Sequence, residues 1–309
     1  MNDENFLKDL PKEYLNKIKF LNEKNRSQIS QRSVEAISNH KDYAKIEAII
    51  DFTNHLLFKS AKGDIKTVIE IGTIPILQAQ HDFILCLENI IFCNYRNAID
   101  SLRRSYEMCI LQIYFLSESL SLDDIKKWQN GKRNAPYFSV MLKSIFKKAY
   151  FAEFDSNFDL KQKIEELYWE LSDIVHVKGA KKIFLNYEKT LTNVSYISIK
   201  DFNPILLNKI IQDLILVFEN IICLFILNNH VILKGYPLFE KFGLNEPFSG
   251  IFNERESEIV WSLIPDQYKD HFENIVTHSE EVKSIDDWIY NLKDLTEEEI
   301  QSQFDELNS

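Results

Sequence analysis

Glycine and proline are scarce in this chain, seven of each in 309 residues. A sandwich or barrel, with its many tight turns, would need more of both. Cysteine is scarce as well. The four present, Cys86, Cys93, Cys109 and Cys223, form no C-x-x-C pair, which argues against a disulfide framework or a cysteine zinc site and for small core residues. The sequence has no H-E-x-x-H, no Walker-type phosphate loop, no G-x-G-x-x-G and no G-x-S-x-G, so known routes to zinc chemistry, nucleotide hydrolysis and serine hydrolysis lack their residues. Neither a metal nor a cofactor is expected. Asp3, Glu4 and Asp9 occupy the first ten residues where a secretory signal needs basic and then apolar ones, which predicts a cytoplasmic protein.

What the chain has in quantity is apolar side chains, 45% of the total, enough for a sizeable core. Their spacing of three and four residues predicts an all-α helical bundle. Ile84, Leu87, Ile91, Tyr95, Ala98, Leu102, Tyr106, Cys109, Ile113 and Leu116 recur at that spacing through 76–117. Read as one rod, that stretch predicts a long central helix of about 60 Å. Further helices are predicted over 123–128, 136–150, 160–177 (ended by Gly179) and 204–233. Two earlier segments, 4–21 with Pro11 inside and 33–59, form an N-terminal pair, followed by a turn and a short helix over 61–71. The stretch 181–201 reads as a loop or at most one short hairpin. Although 210–233 is the most apolar run, Asp213, Glu219, Asn228, Asn229 and His230 interrupt it. It therefore suits a buried core helix better than a membrane span.

Gly235, Pro237, Gly243, Pro247 and Gly250 crowd together and predict a linker. The breaks divide the chain into a helical pair at 1–60, a core bundle at 61–234, a linker at 235–252 and a small acidic helical segment at 253–309. In that last segment Pro265 and the Ser284-Ile285-Asp286-Asp287 string are expected to start helices, and Thr296 with Glu299 offers a capping box. From Phe252 onward sixteen Asp and Glu face four Lys and Arg, a balance of −12 against a total of −11. The rest of the chain is near neutral, and the acidic segment is a candidate docking surface for a protein partner.

Three constellations could carry chemistry. Arg96, Asp100, Arg103 and Glu107 share one helix face, with Arg104 at its edge. They form a solvated stripe of ion pairs, a buried structural network or a polar ligand site. Glu165, Trp169, Ser172 and His176 also follow one helix face, and His176 stands beside Lys178, Lys181 and Lys182. A histidine there is either structural, favoured by the helix dipole, or a general acid-base for a phosphodiester whose charge the lysines would stabilise. Finally, 126–148 holds Lys126, Lys127, Lys132, Arg133, Lys143, Lys147 and Lys148 with no acid. Interleaved with Trp128, Tyr137 and Phe138, these bases make either a solvated face or an RNA-binding surface.

The string Leu102-Arg103-Arg104-Ser105-Tyr106-Glu107, then Trp128-Gln129-Asn130-Gly131 with Pro136, then Leu167-Tyr168-Trp169-Glu170-Leu171-Ser172-Asp173-Ile174-Val175-His176, resembles a group of uncharacterised bacterial helical proteins with an R-S-x-x-E helix and an L-S-x-x-x-H helix. The resemblance spans about residues 80–180. That group is distantly similar to the HEPN superfamily, helical bundles that often act as dimeric ribonucleases in toxin-antitoxin and phage-defence systems. The resemblance implies an RNA-binding or RNA-cleaving protein, a homodimer, and a site built from Arg103, Glu107 and His176, with Arg96, Arg104, Lys127, Lys132, Arg133 and Lys178 contacting the ligand. The HEPN ribonuclease signature leaves four to six residues between an Arg and the His, and at those Arg positions before His176 this chain has Trp169, Glu170 and Leu171. Arg103 or Arg104 must then meet His176 from another helix, or the protein has no nuclease activity. The competing expectation is a non-enzymatic interaction module with a purely structural core.

Overall fold

The structure is a computed structural model and describes residues 27–60, 73–117, 121–175, 202–243 and 250–307. The predicted helices at 4–21 and 66–71, the Gly179 cap and the 181–201 hairpin lie outside those residues. Every regular element within them is helical, with one isolated parallel bridge between Gly235 and Phe252. The chain begins with α1 (27–38) and α2 (Tyr43–Asp51), which runs into a π turn over Phe52–Leu56. The bundle follows as α3 (Ile74–Ile91), α4 (Tyr95–Leu116), α5 (Leu122–Gln129), α6 (Phe138–Ile145), α7 (Ala149–Phe158), α8 (Leu160–Val175) and α9 (Pro204–Asn228). A 3-10 turn at His230–Leu233 leads to α10 (Leu238–Phe242), α11 (Glu254–Leu263), α12 (Asp266–His278), α13 (Glu280–Tyr290) and α14 (Glu297–Leu307).

The all-α expectation holds, but the rod predicted over 76–117 is two helices. Cys93 adopts a left-handed backbone (φ 57), and the chain doubles back so that α3 and α4 pack along each other. No glycine or proline marks the turn. Instead the Cys93 thiol is buried and held by Ser33 Oγ at 3.3 Å and the Tyr95 hydroxyl at 3.2 Å. Because each helix buries a face against its neighbour, the three- and four-residue spacing runs through the turn without a visible break. The helix predicted over 136–150 likewise divides into α6 and α7, and Asp159 alone, left-handed at φ 53, separates α7 from α8. In the acidic segment α13 starts at Ser279, whose hydroxyl caps it, rather than at Ser284.

Helix α9 is the hub, touching α2, α4, α7, α8 and α11. It is the one helix among the described residues long and apolar enough to cross a membrane, and 83% of its most apolar stretch is buried within the protein. Phe218 on α9 packs against Phe83 on α3 at 4.3 Å between ring centroids and against Phe52 at 6.4 Å. Its buried amide Asn220 donates to the Tyr106 hydroxyl at 3.0 Å, so the polar group inside the core is satisfied. All four cysteines are buried and free, and burial pushes the Cys86 thiol up to about 12.

The acidic segment turns an apolar face inward. Val260, Leu263, Tyr268, Phe272 and Ile275 join the main core, and Phe154 of α7 stacks on Phe272 at 5.1 Å. Within the breaker-rich stretch, Tyr236 and Phe252 are buried, and a Cβ on Gly235 would lie 2.5 Å from the Glu254 Cα. Only glycine permits that approach. A buried ion pair closes this junction: Lys59 Nζ donates to both Glu256 carboxylate oxygens at 2.8 Å, with both side chains about nine-tenths buried. Glu256 also completes a capping box with Asn253 at the start of α11, and the Lys59 carbonyl accepts the Gly250 N–H at 2.8 Å.

Removing one member of a buried pair strands the other. Lys59→Met is expected to lower unfolding free energy by about 3–5 kcal/mol in urea titration. Adding Glu256→Leu should recover part of that loss despite the broken capping box. A single-variant cost below about 1 kcal/mol would show that the pair does not hold the junction.

Candidate functional site

The charged strip on α4 is a network spanning three helices. Arg104 donates through Nη2 to Asp82 Oδ1 at 2.9 Å and through Nε at 3.2 Å, and it also pairs with Asp100. Asp82 is 2% exposed. Its carboxylate is buried only because Arg104 and the amide of Gln78, at 3.0 Å, receive it. The contact with Asp82 holds the Arg104 guanidinium above its ordinary pKa, against the opposing effect of burial. In a continuous rod Asp82 and Arg104 would stand about 33 Å apart. The hairpin brings them together.

Arg103 faces the other way, toward α8. Its Nη1 lies 3.4 Å from Glu107 Oε2 and 3.3 Å from the Tyr168 hydroxyl, which in turn donates to Glu107 at 3.4 Å. Asp100 is 3.9 Å from Arg103 Nη2. The Tyr168 ring stacks on Phe138 at 3.6 Å between centroids, which fixes the hydroxyl. Burial, followed by the nearby Glu107 charge, raises the Tyr168 phenol. Arg103 Nε is buried and has no hydrogen-bond partner among the described residues. Arg103, Glu107 and Tyr168 thus form a small, partly exposed polar cluster where α4 crosses α8.

Of the residues singled out from sequence, Arg103 and Glu107 meet here, and Arg104 sits at the edge. His176 and Lys178 lie outside the described residues. The spacing on α4 also differs from the pattern it resembles, since Arg104-Ser105-Tyr106-Glu107 is one residue shorter than R-S-x-x-E. Arg96 is exposed near the start of the same helix. Within the basic segment, Lys127 pairs with Asp123 at 2.6 Å and Arg133 with Asp124. The bond from Arg133 lowers the Asp124 carboxyl, and the bond to Asp123 raises Lys127. The acids that pair with Lys127 and Arg133 stand immediately before the segment. Phe138 is buried, Trp128 packs on Phe115 at 5.1 Å, and of the interleaved aromatics Tyr137 alone is well exposed, at 84%. Lys132 is exposed at the turn after α5.

The chain matches no family model, no curated protein and no solved structure. The assignment of a site therefore rests on its own geometry. Among the described residues no group of three or more His, Cys, Asp or Glu is placed to hold a metal ion.

Two participants escape a reading of the sequence. Tyr168 sits beside Trp169 in the quoted string, yet only packing reveals that it turns toward Arg103. Asp213, in the apolar run of α9, is 1% exposed. It accepts Lys209 Nζ at 2.5 Å, and Lys209 also donates to Glu170 on α8 at 2.9 Å. Burial raises the Asp213 carboxyl to about 6, against the lowering effect of Lys209, and its Oδ2 has no partner among the described residues.

Unfolded, Asp213 would titrate near the ordinary carboxylate value of about 3.9. The folded protein therefore holds this proton more tightly, and ionised Asp213 destabilises the fold at neutral pH. That cost shrinks as pH falls through about 6 and is gone below about 4. Asp213→Asn should raise stability at pH 7 by on the order of 1–3 kcal/mol and flatten the stability profile between pH 7 and 5. Denaturant melts at several pH values check this. A profile as steep as wild type would show that Asp213 is not the titrating group.

Proposed function

We propose that this is a HEPN-like helical protein of a bacterial defence or toxin-type system that binds or cleaves RNA at the crossing of α4 and α8. The observation that carries the reading is the meeting of Arg103, Glu107 and Tyr168 where the two resembling helices pack together. An arginine whose guanidinium is held only at 3.3–3.4 Å by Tyr168 and Glu107 suits a phosphate oxygen, a stronger charge-assisted acceptor. In this reading Arg103 stabilises phosphate charge. Glu107 and His176 move protons, and Tyr168 orients Arg103. Arg104, committed to Asp82 and Asp100, holds α4 in register. Lys127, Lys132, Arg133, Arg96 and Lys178 would track the RNA backbone, with cytoplasmic localisation and a homodimer as in the superfamily.

A second reading, a non-enzymatic interaction module, is favoured by the pairing of Lys127 and Arg133 with Asp123 and Asp124, which lowers the free positive charge available to RNA. In that case the α4–α8 network is structural, and the acidic segment meets a protein partner.

Induced expression in bacteria separates the two. Wild type is expected to arrest growth, and Arg103→Ala, Glu107→Gln and His176→Ala should each relieve the arrest. Purified protein should show matching losses in cleavage of a labelled RNA, of about 10²- to 10⁴-fold for His176→Ala. Thermal melts of each variant exclude unfolding as the cause. Arrest unchanged by all three substitutions would reject a site at this crossing. No arrest and no RNA binding by wild type would leave the interaction module.

A further inference from the structure

A cleft of about 630 Å³ opens between the π turn after α2, the short helix α10 and the first turns of α11. Its lining combines a buried apolar floor with unneutralised acid. Leu56, Tyr236 and Leu238 are each at most 1% exposed, while Phe239 beside them stands 40% exposed. Asp51, Glu240 and Glu254 line the same cleft, and none of the three enters a salt bridge among the described residues. Glu256, also in the lining, is already neutralised by Lys59. Arg255 is the one Lys or Arg among the described lining residues.

The walls are held in place. Below, the Lys59–Glu256 pair ties the segment after the π turn to α11, and the Gly235–Phe252 bridge ties the approach to α10 to the start of α11. To the side, α10 is anchored by Lys241, which donates to the Leu292 carbonyl at 2.6 Å and pairs with Asp294 at 2.8 Å. The Leu295 N–H closes on the Glu240 carbonyl at 2.8 Å. A fixed cleft loses little ordering entropy on binding. Three carboxylates that share a cleft with one arginine leave a net negative field there, and a cationic occupant offsets it.

We propose that this cleft docks a basic amphipathic segment of another protein, with an apolar side chain seated against Phe239 and flanking Lys or Arg residues against Asp51, Glu240 and Glu254. The inference deepens the interaction-module reading and is independent of the RNA reading. It can fail on its own, because the cleft shares none of the α4–α8 cluster residues.

The test uses the full chain and a short fluorescein-labelled peptide of Lys and Leu at helical spacing, with a Glu/Leu peptide of the same pattern as control, in fluorescence anisotropy. The Lys/Leu peptide should bind and the Glu/Leu peptide should not, with affinity falling as salt is raised. The double variant Glu240→Gln/Glu254→Gln, and separately Phe239→Ala, should weaken binding by about tenfold. Glu297→Gln/Glu298→Gln, which removes the same charge from exposed positions of α14, should leave it unchanged. Equal weakening by that control pair would show only a diffuse acidic field and overturn the proposal, as would no binding of the Lys/Leu peptide. A dimer of the chain itself that Phe239→Ala dissolves would assign the cleft to a second copy and also overturn it. None of these substitutions touches the α4–α8 cluster, so the growth-arrest assay tests that reading separately and the two can fail independently.

Discussion

Helix α9 imposes the main constraint on this fold. From Ile221 to Leu227 every residue is buried, so that end of the helix has no face to give to water without exposing Ile, Leu or Phe, while Ile205, Asn208 and Leu216 mark the exposed side of its earlier turns. Neighbours must surround it, and α2, α4, α7, α8 and α11 do so. Enclosing one helix draws the N-terminal segment and the acidic segment into the same core. The polar groups caught inside are consequences of that enclosure. Asn220 finds the Tyr106 hydroxyl, and Asp213 reaches outward to Lys209. One Asp213 carboxylate oxygen is left without a partner among the described residues.

Charge is distributed by the same logic. Where helices meet around the core, acids and bases are matched across the seam, as with Asp82 and Arg104 or Lys59 and Glu256. Such pairs contribute little net stability against an apolar alternative, but breaking them is expensive. They define which helix faces which. Net charge accumulates instead on the outer side of the C-terminal helices, whose inner side is apolar. An acidic surface backed by a packed core is rigid enough to present a fixed pattern of charge, which a loose acidic tail could not do.

The sequence yields the helical class readily, because three- and four-residue spacing, few glycines and few prolines all point one way. Capping chemistry is also readable: the Thr296 and Glu299 box forms as expected. What stays hidden is the turn at Cys93. A left-handed residue without glycine leaves no compositional mark, and its cause, contacts to Ser33 and Tyr95, is tertiary. From that one missed turn follows the missed partnership of Asp82 with Arg104, since a rod would hold them far apart. The pairing of the basic segment is hidden for a similar reason. Its neutralising acids, Asp123 and Asp124, precede it by a few residues, but only the fold of the turn after α5 carries Arg133 back to Asp124.

The two adjacent arginines of α4 show how one hairpin both builds and exposes a site. Successive residues on a helix point about 100° apart, so Arg103 and Arg104 turn to different neighbouring helices although both lie near Asp100. Arg104 turns to α3, where a buried carboxylate takes two of its donors. Arg103 turns to α8 and meets a phenol and a half-satisfied carboxylate at 3.3–3.4 Å, longer than strong charge-assisted bonds. The first arginine in this division is structural and saturated. The second is held in position by its neighbour's rigidity yet keeps unused hydrogen-bonding capacity. An added acceptor such as a phosphate oxygen would gain most at that second position, because the cost of ordering the arginine has already been met by the fold.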